Sequence, residues 1–324
     1  MKFTPDTLTS SGVLINEKMN IFKKKAAKKM TDFVYEYLSK CRRGKEYKYH
    51  YQNIGRHVEN FVKHSGVEVY TNSFTEQLAE EFIAYLRSKE LLANTVKSIC
   101  RRVTTLLNKA ERAGYPIQRG FENISLKEED SCAIYLTIDE LKKLNELQKL
   151  SKKAAVTRDR FLVGCFTALR VSDYGRLTVK DNFINDFIQI KTQKTGVVVT
   201  IPTHPVIRDV LKRNNGELPP MPSLQTFNKT IKRVCKKANI TDVTLWERTV
   251  GTKVVRKKMN KWQLVASHTA RRTGATLMYL AGIPTARIML LTGHQTEQAF
   301  FRYIRIAREE NAKILSEHSF FTNF

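Results

Sequence analysis

The chain has 324 residues, 42% of them hydrophobic, enough for about two domains of ~100–200 residues each. Lys and Arg number 56 against 31 Asp and Glu, a formal charge of +25 with an isoelectric point near 9.9. Such a balance calls for a polyanionic partner, nucleic acid ahead of an acidic membrane surface. The longest mostly apolar run, residues 161–169, falls far short of the ~18 residues that span a bilayer. The N-terminus, MKFTPDTLTSSG, holds no apolar signal core. Cys41, Cys100, Cys132, Cys165 and Cys235 are odd in number and form no CxxC, so they read as reduced thiols of a cytoplasmic, nucleoid-associated protein.

Residues 1–25 are polar and close on Phe22-Lys23-Lys24-Lys25; they read as a flexible basic arm, with phosphate contact and a plain disordered start both open. From 26 to 114 the pattern is helical, with segments predicted over 28–41, 47–64, 75–89 and 94–113. In the last, Val96, Ile99, Cys100, Val103, Leu106, Leu107 and Ala110 form an apolar stripe at helical spacing. Lys97, Arg101, Arg102 and Lys109 lie off that stripe, and Gly114 and Pro116 stop the helix. The result is a small bundle with basic outer faces. Lys97, Arg101 and Arg102 are candidate DNA contacts, against the plainer reading of a solvated charged face.

Residues 115–133 carry Pro116, Gly120 and the acidic run Glu128-Glu129-Asp130 without periodicity, and read as a linker. Thr137 and Glu140 form a capping box that opens a second domain, 134–324. There, residues 158–168 make an apolar helix that ends in Arg170, with Asp173 three residues on, placed to brace Arg170 or to cap a helix at Ser172. Segments 183–190 and 197–201 read as a hairpin broken by Thr192-Gln193-Lys194-Thr195-Gly196, a basic tip. Helices are predicted over 206–212 and 225–237. Residues 244–264 read as a second hairpin, dense in Arg256, Lys257, Lys258 and Lys261, with Lys257 and Lys258 as further candidate DNA contacts. Residues 271–291 offer helix, a turn at Gly282-Ile283, and a helix from Pro284. Alone this looks like a helix-turn-helix, yet PTARIMLL shows a groove only Thr285 and Arg287, and reads as core packing. Phe320, Phe321 and Phe324 crowd the C-terminus; a frayed end rarely does so, and they read as tucked into the domain or docked on a neighbouring protomer.

The chemistry gathers late. His268 and Arg271, three apart, share a helix face. Gly293-His294 follows, and Tyr303 comes nine residues after His294 with Ala299, Phe300 and Phe301 between. Two imidazoles, a guanidinium and a phenol without a carboxylate are the wrong set for Mg²⁺. They suit a phosphate: Arg grips it bidentately, His exchanges protons near neutral pH, and Tyr attacks it.

In this order the boxes resemble the tyrosine recombinases, the phage integrase family. ALRVSDYGRL resembles the family's first arginine box, which makes Arg170 catalytic. KTQKTGVVVTIP resembles its hairpin lysine segment, pointing to Lys194 over Lys191. SHTARRTGAT supplies His268 and Arg271, LTGH supplies His294, and FFRY supplies the nucleophile Tyr303; Arg272 is not a catalytic position. The wording is nearest to integrases of conjugative transposons and other mobile elements. The resemblance implies a mainly α fold with small β-hairpins: an N-terminal helical, SAM-like core-binding domain, then a mixed α/β catalytic domain. It implies double-stranded DNA cut at specific recombination sites through a 3′-phosphotyrosyl intermediate, with no metal, ATP or other cofactor. It further implies two domains clamping the duplex, a homotetramer on two sites, accessory DNA-bending proteins and no membrane. Asp173 would support the catalytic residues from behind. The 25 leading residues are too few for the separate arm-binding domain of many integrases, which favours a simpler recombinase or invertase. Rival readings are a non-catalytic DNA-binding regulator on the same scaffold, a type IB topoisomerase-like relaxing enzyme, and a basic RNA-associated protein that accounts for charge alone.

Overall fold

The computed structural model describes residues 25–129, 133–301, 304, 312, 316 and 319–322. The chain forms two compact units. Residues up to 129, together with Arg248–Val254, make the first; Asp130–Glu247 and the residues from 255 onward make the second.

The first unit is built on α1 (Met30–Lys40), α2 (Lys45–Ser65), α3 (Glu76–Ser88) and α4 (Ala93–Arg112), each within two residues of the spacing-based expectation. All seven residues of the α4 stripe are buried. They meet Phe33, Phe61 and Phe82 from the other helices in one core, since an amphipathic helix is stable only with its apolar face covered. Thr75 caps α3 by accepting from the Leu78 N–H at 3.3 Å, and Gly66 closes α2 at φ +72°. The stretch expected to be a linker differs. Tyr115, Ile117, Phe121, Ile124 and Leu126 pack onto the bundle, because their apolar side chains have a face to cover even without helical spacing. Gly120 is required there: its N–H reaches the Phe74 carbonyl at 2.8 Å, and an added Cβ would lie 2.1 Å from the Thr75 carbonyl oxygen. Lys25 joins this unit through the Gly114 carbonyl (3.1 Å), with its ammonium 4.6 Å from the Tyr115 ring centroid. The rest of the expected arm, residues 1–24, lies outside the described residues.

The second unit is organised on α6 (Lys152–Thr167), around which α5 (Ile138–Glu146), α9 (Pro205–Arg213), α10 (Leu224–Lys237) and α12 (Ser267–Leu280) pack. A helix covered on several sides must be apolar on several sides, and α6 buries Phe161, Leu162, Val163 and Cys165 in succession. Its buried charges have partners: Asp159 accepts from Arg158 (2.9 Å), Arg213 (3.0 Å) and Asn214 (2.9 Å), and Arg160 donates to the Tyr174 (3.1 Å) and Leu177 (3.2 Å) carbonyls. Thr137 and Glu140 form the expected capping box of α5.

After α6 come the short turns α7 (Val171–Tyr174) and α8 (Val179–Asn182), then β1 (Phe183–Ile184), β2 (Phe187–Lys191) and β3 (Val198–Pro202) in one antiparallel sheet. The strand expected over 183–190 is thus two, broken where Asn185 takes φ +53°, a conformation asparagine tolerates in turns. β4 (Val243–Val250) and β5 (Lys253–Asn260) form the second ribbon, and the last residues expected in it, Lys261–Leu264, are instead the helical turn α11. Helix α13 (Thr285–Thr292) starts one residue after Pro284, which is its N-cap, and α14 (Glu297–Phe301) follows. The expectation that α13 packs into the core holds for one side of the helix, where Ile288 joins Ala275 and Phe300 and Thr292 is buried, while Leu290 on the other side is 75% exposed.

Candidate active site

Helices α6 and α12 meet at glycine contacts that bring two arginines together. An added Cβ on Gly274 would lie 2.1 Å from the Cys165 carbonyl oxygen, and one on Gly164 would lie 2.8 Å from the Tyr174 ring. That close approach sets Arg271, 1% exposed, beneath the end of α6, where Nη1 donates to the Ala168 carbonyl at 3.0 Å. Ala168 turns that carbonyl outward by taking φ +50°, a left-handed conformation that costs an L-residue roughly 1 kcal/mol. Arg170 follows two residues later. Its Nη1 is buried with no hydrogen-bond partner among the described residues, a donor held dry that an anion can satisfy.

The other Arg271 terminal nitrogen, Nη2, lies 2.9 Å from His294 Nε2, while His294 Nδ1 lies 2.7 Å from the Thr292 hydroxyl. Arginine only donates, so Nε2 accepts and the ring proton sits on Nδ1. Thr292 accepts it and passes its own hydrogen to the Ile288 carbonyl at 2.8 Å. Burial first, then the Arg271 and Arg170 charges, push the His294 pKa down to about 3, so the ring is neutral at physiological pH. Phe300, fully buried, holds the ring edge-on at 5.6 Å between centroids. His268 is exposed on the first turn of α12. Partial loss of hydration, then the cations Arg272, Arg271, Arg170 and Lys194, lower its pKa as well. Asn228 on α10 and Tyr174 on α7 pin that turn, accepting from the Ser267 N–H (2.8 Å) and donating to its carbonyl (3.2 Å).

Lys194 stands exposed on the β2–β3 tip, and its charge, unlike that of Lys191, is among those that act on His268. Asp173 meets Arg170 only through the backbone, its N–H donating to the Arg170 carbonyl at 2.8 Å, and among the described residues its carboxylate neither braces the guanidinium nor caps a helix at Ser172. Fully buried, its Oδ1 accepts from the Gln193 backbone N–H at 2.9 Å and from Arg176 at 3.4 Å. Arg176 also donates to the Lys191 carbonyl, so an Asp–Arg pair grips the β2 side of the turn that carries Lys194. Across the turn, an added Cβ on Gly293 would lie 3.7 Å from the Thr195 hydroxyl and 3.9 Å from the Thr192 methyl. Arg272 turns elsewhere, to the Ile134 carbonyl at 3.3 Å. Tyr303 lies outside the described residues, as does Phe324; Phe320 and Phe321 are 78% and 61% exposed.

Sequence reasoning therefore named Arg170, Lys194, His268, Arg271 and His294, and in this unit the charges of Arg170 and Arg271 act on both histidines and that of Lys194 on His268. It missed Thr292, the Ala168 carbonyl and Arg176. Thr292 carried a faint signal, a hydroxyl within an apolar helix; the others depend on tertiary contact alone.

Residues 29–126 match the phage integrase SAM-like domain, and residues 135–310 match the phage integrase family. The chain belongs to the phage integrase family, the tyrosine recombinases. Among solved structures, a lambda integrase dimer bound to a COC′ core site is similar at 14% identity, covering 86% of this chain and 78% of that one with a TM-score of 0.63. The Tn1549 transposon integrase in complex with circular intermediate DNA is similar at 15% identity, covering 90% and 100%, with a TM-score of 0.63. A lambda integrase tetramer bound to a Holliday junction gives 15%, 85%, 76% and 0.63 in the same terms. At these identities the likeness is one of fold. No curated protein matches the sequence.

The expected DNA-contacting residues fall in three settings. Lys97 is half-buried and paired with Glu128 at 3.7 Å, so its charge is already partly met. Arg101 is exposed on α4, and Arg102 lines a groove with His50, Asn53, His57 and Ser98. Lys257 and Lys258 are exposed on β5, where consecutive side chains point to opposite faces. Among the described residues, no helix is long and apolar enough to cross a membrane.

Proposed function

We propose that this chain is a site-specific DNA recombinase, an integrase or invertase, that breaks and rejoins strands through a covalent phosphotyrosine. The observation that carries the reading is the buried Arg170 Nη1, without a hydrogen-bond partner among the described residues, in a cluster where the Arg170 and Arg271 charges both lower the pKa of His268 and His294. Arg170 and Arg271 bind the non-bridging oxygens of the scissile phosphate and stabilise the charge that grows in the transition state. The Tyr303 phenol oxygen forms a bond to phosphorus while the bond to the 5′-oxygen breaks. The phenol proton passes to His268, whose lowered pKa leaves a free lone pair at neutral pH. Lys194 protonates the departing 5′-oxygen. One ester replaces another, so a second strand's 5′-hydroxyl can reverse the step without ATP.

His294 supports the site through Arg271. Its one ring proton goes to Thr292 and its Nε2 accepts from Arg271, so its part is to orient that guanidinium. Asp173 acts through the turn it grips, as a positioning residue for Lys194. The lambda and Tn1549 integrases are held on DNA in their structures, and lambda integrase as a tetramer on a Holliday junction. We extend double-stranded DNA and a four-protomer synapse to this chain on that fold likeness and on its +25 charge.

The test is Arg170→Gln on a nicked duplex carrying the native site. Covalent adduct should form about 10²–10³-fold more slowly, the usual cost of one lost oxyanion donor, while duplex affinity holds within a few-fold. Adduct formation at the wild-type rate removes Arg170 from the chemistry.

A further inference from the structure

A second cationic groove lies away from the pocket just described. The start of α6 and one exposed face of α10 enclose a cavity of about 620 Å³, lined by Lys153, Lys229, Arg233 and Lys237 with the Thr226 and Thr230 hydroxyls. Lys229, Arg233 and Lys237 fall at successive four-residue steps, so they form one stripe of mutually repelling charges. No Asp or Glu lines the groove, and none occurs from 223 to 237.

All four cations are exposed, and none makes an ion pair among the described residues. Elsewhere exposed lysines do pair, as in Lys40–Glu36, Lys63–Glu59 and Lys142–Asp139. Within the groove only a carbonyl is met, that of Lys149 by Lys237 at 2.6 Å. Along α6 the groove is ~22 Å from the Ala168 end, at 1.5 Å rise per residue, so one phosphate cannot serve both places. The stripe runs ~12 Å along α10, which suits a line of charges more than a single small anion.

We propose that this groove binds the phosphate backbone of a duplex segment other than the cleaved phosphodiester. The inference rests on the DNA reading above. A duplex carries about one charge per 1.7 Å of axis, the dense linear array that an acid-free stripe matches.

The test uses the full chain and a random duplex of about 40 base pairs, followed by anisotropy over a salt series. In Lys153→Gln/Lys229→Gln/Arg233→Gln the slope of log affinity against log salt should be shallower by about 2.7, three phosphate contacts at ≈0.9 each. A control with the same charge loss on exposed lysines elsewhere, Lys142→Gln/Lys180→Gln/Lys212→Gln, should shift it by less than about 1. Equal slopes in the two triples overturn the proposal, as does loss of tripolyphosphate binding with the duplex slope unchanged. If wild type shows no salt-dependent duplex binding, the DNA reading itself fails. Thermal melts report folding; if the first triple melts early, Lys229→Gln replaces it, with an expected change of about 0.9.

Discussion

Replacing His294 with Gln isolates the charge environment of the pocket. The folded His294 titrates at about 3, against roughly 6.5 for an unperturbed imidazole, because burial and the Arg271 and Arg170 charges disfavour its cation. A histidine depressed in this way binds fewer protons folded than unfolded. Its penalty therefore appears as pH falls below the unfolded value and grows until pH nears about 3. Between pH ~7.5 and ~5.5 the unfolded ring gains most of a proton that the folded ring refuses, which costs about 1.4 kcal/mol. Gln keeps an acceptor for Arg271 and does not titrate. Denaturant unfolding of both proteins at the two pH values gives a double difference in which the shared carboxylates cancel. Wild type should lose about 1.4 kcal/mol more than His294→Gln, or about 3–6 °C in Tm. Parallel losses would show that His294 is not held neutral by this cluster.

Gly274→Ala should cost about 3 kcal/mol or more, since the new methyl meets the backbone of Cys165, whereas Gly282→Ala, at φ +75° with open space around it, should cost about 1 kcal/mol. Equal Tm losses for the pair would remove the α6–α12 contact as the tighter constraint. Asp173→Ala should slow adduct formation about 10²-fold by freeing the Lys194 turn, with much of the rate restored when the 5′-bridging oxygen is replaced by sulfur, a leaving group that needs no protonation. The same defect on oxygen and sulfur substrates would place the role of Asp173 outside leaving-group chemistry.

Helix positions in the first unit were legible because each helix has one covered face, and burial at a fixed period writes itself into the sequence, as in the α4 stripe. The segment after α4 was not, because Phe121 and Ile124 pack without a period. Arg170 could be picked out as an arginine ending an apolar run, and His268 with Arg271 by their shared face. Their partners could not. Nothing local tells that Ala168 turns left-handed to offer its carbonyl, or that Asp173 reaches across to Gln193 and not back to Arg170. Those contacts follow from how α7 and the β2–β3 turn meet, a tertiary fact. The Thr292 partner of His294 is likewise a contact that no local pattern marks.

The most direct measurement is a trapping assay on a nicked suicide duplex carrying the native site, taken from DNA flanking the gene, with wild type beside Tyr303→Phe. A covalent protein–DNA band stable to SDS, lost on proteolysis and absent from Tyr303→Phe, is the expected result. Tight duplex binding without any band in wild type, or an equal band in the variant, would contradict the account.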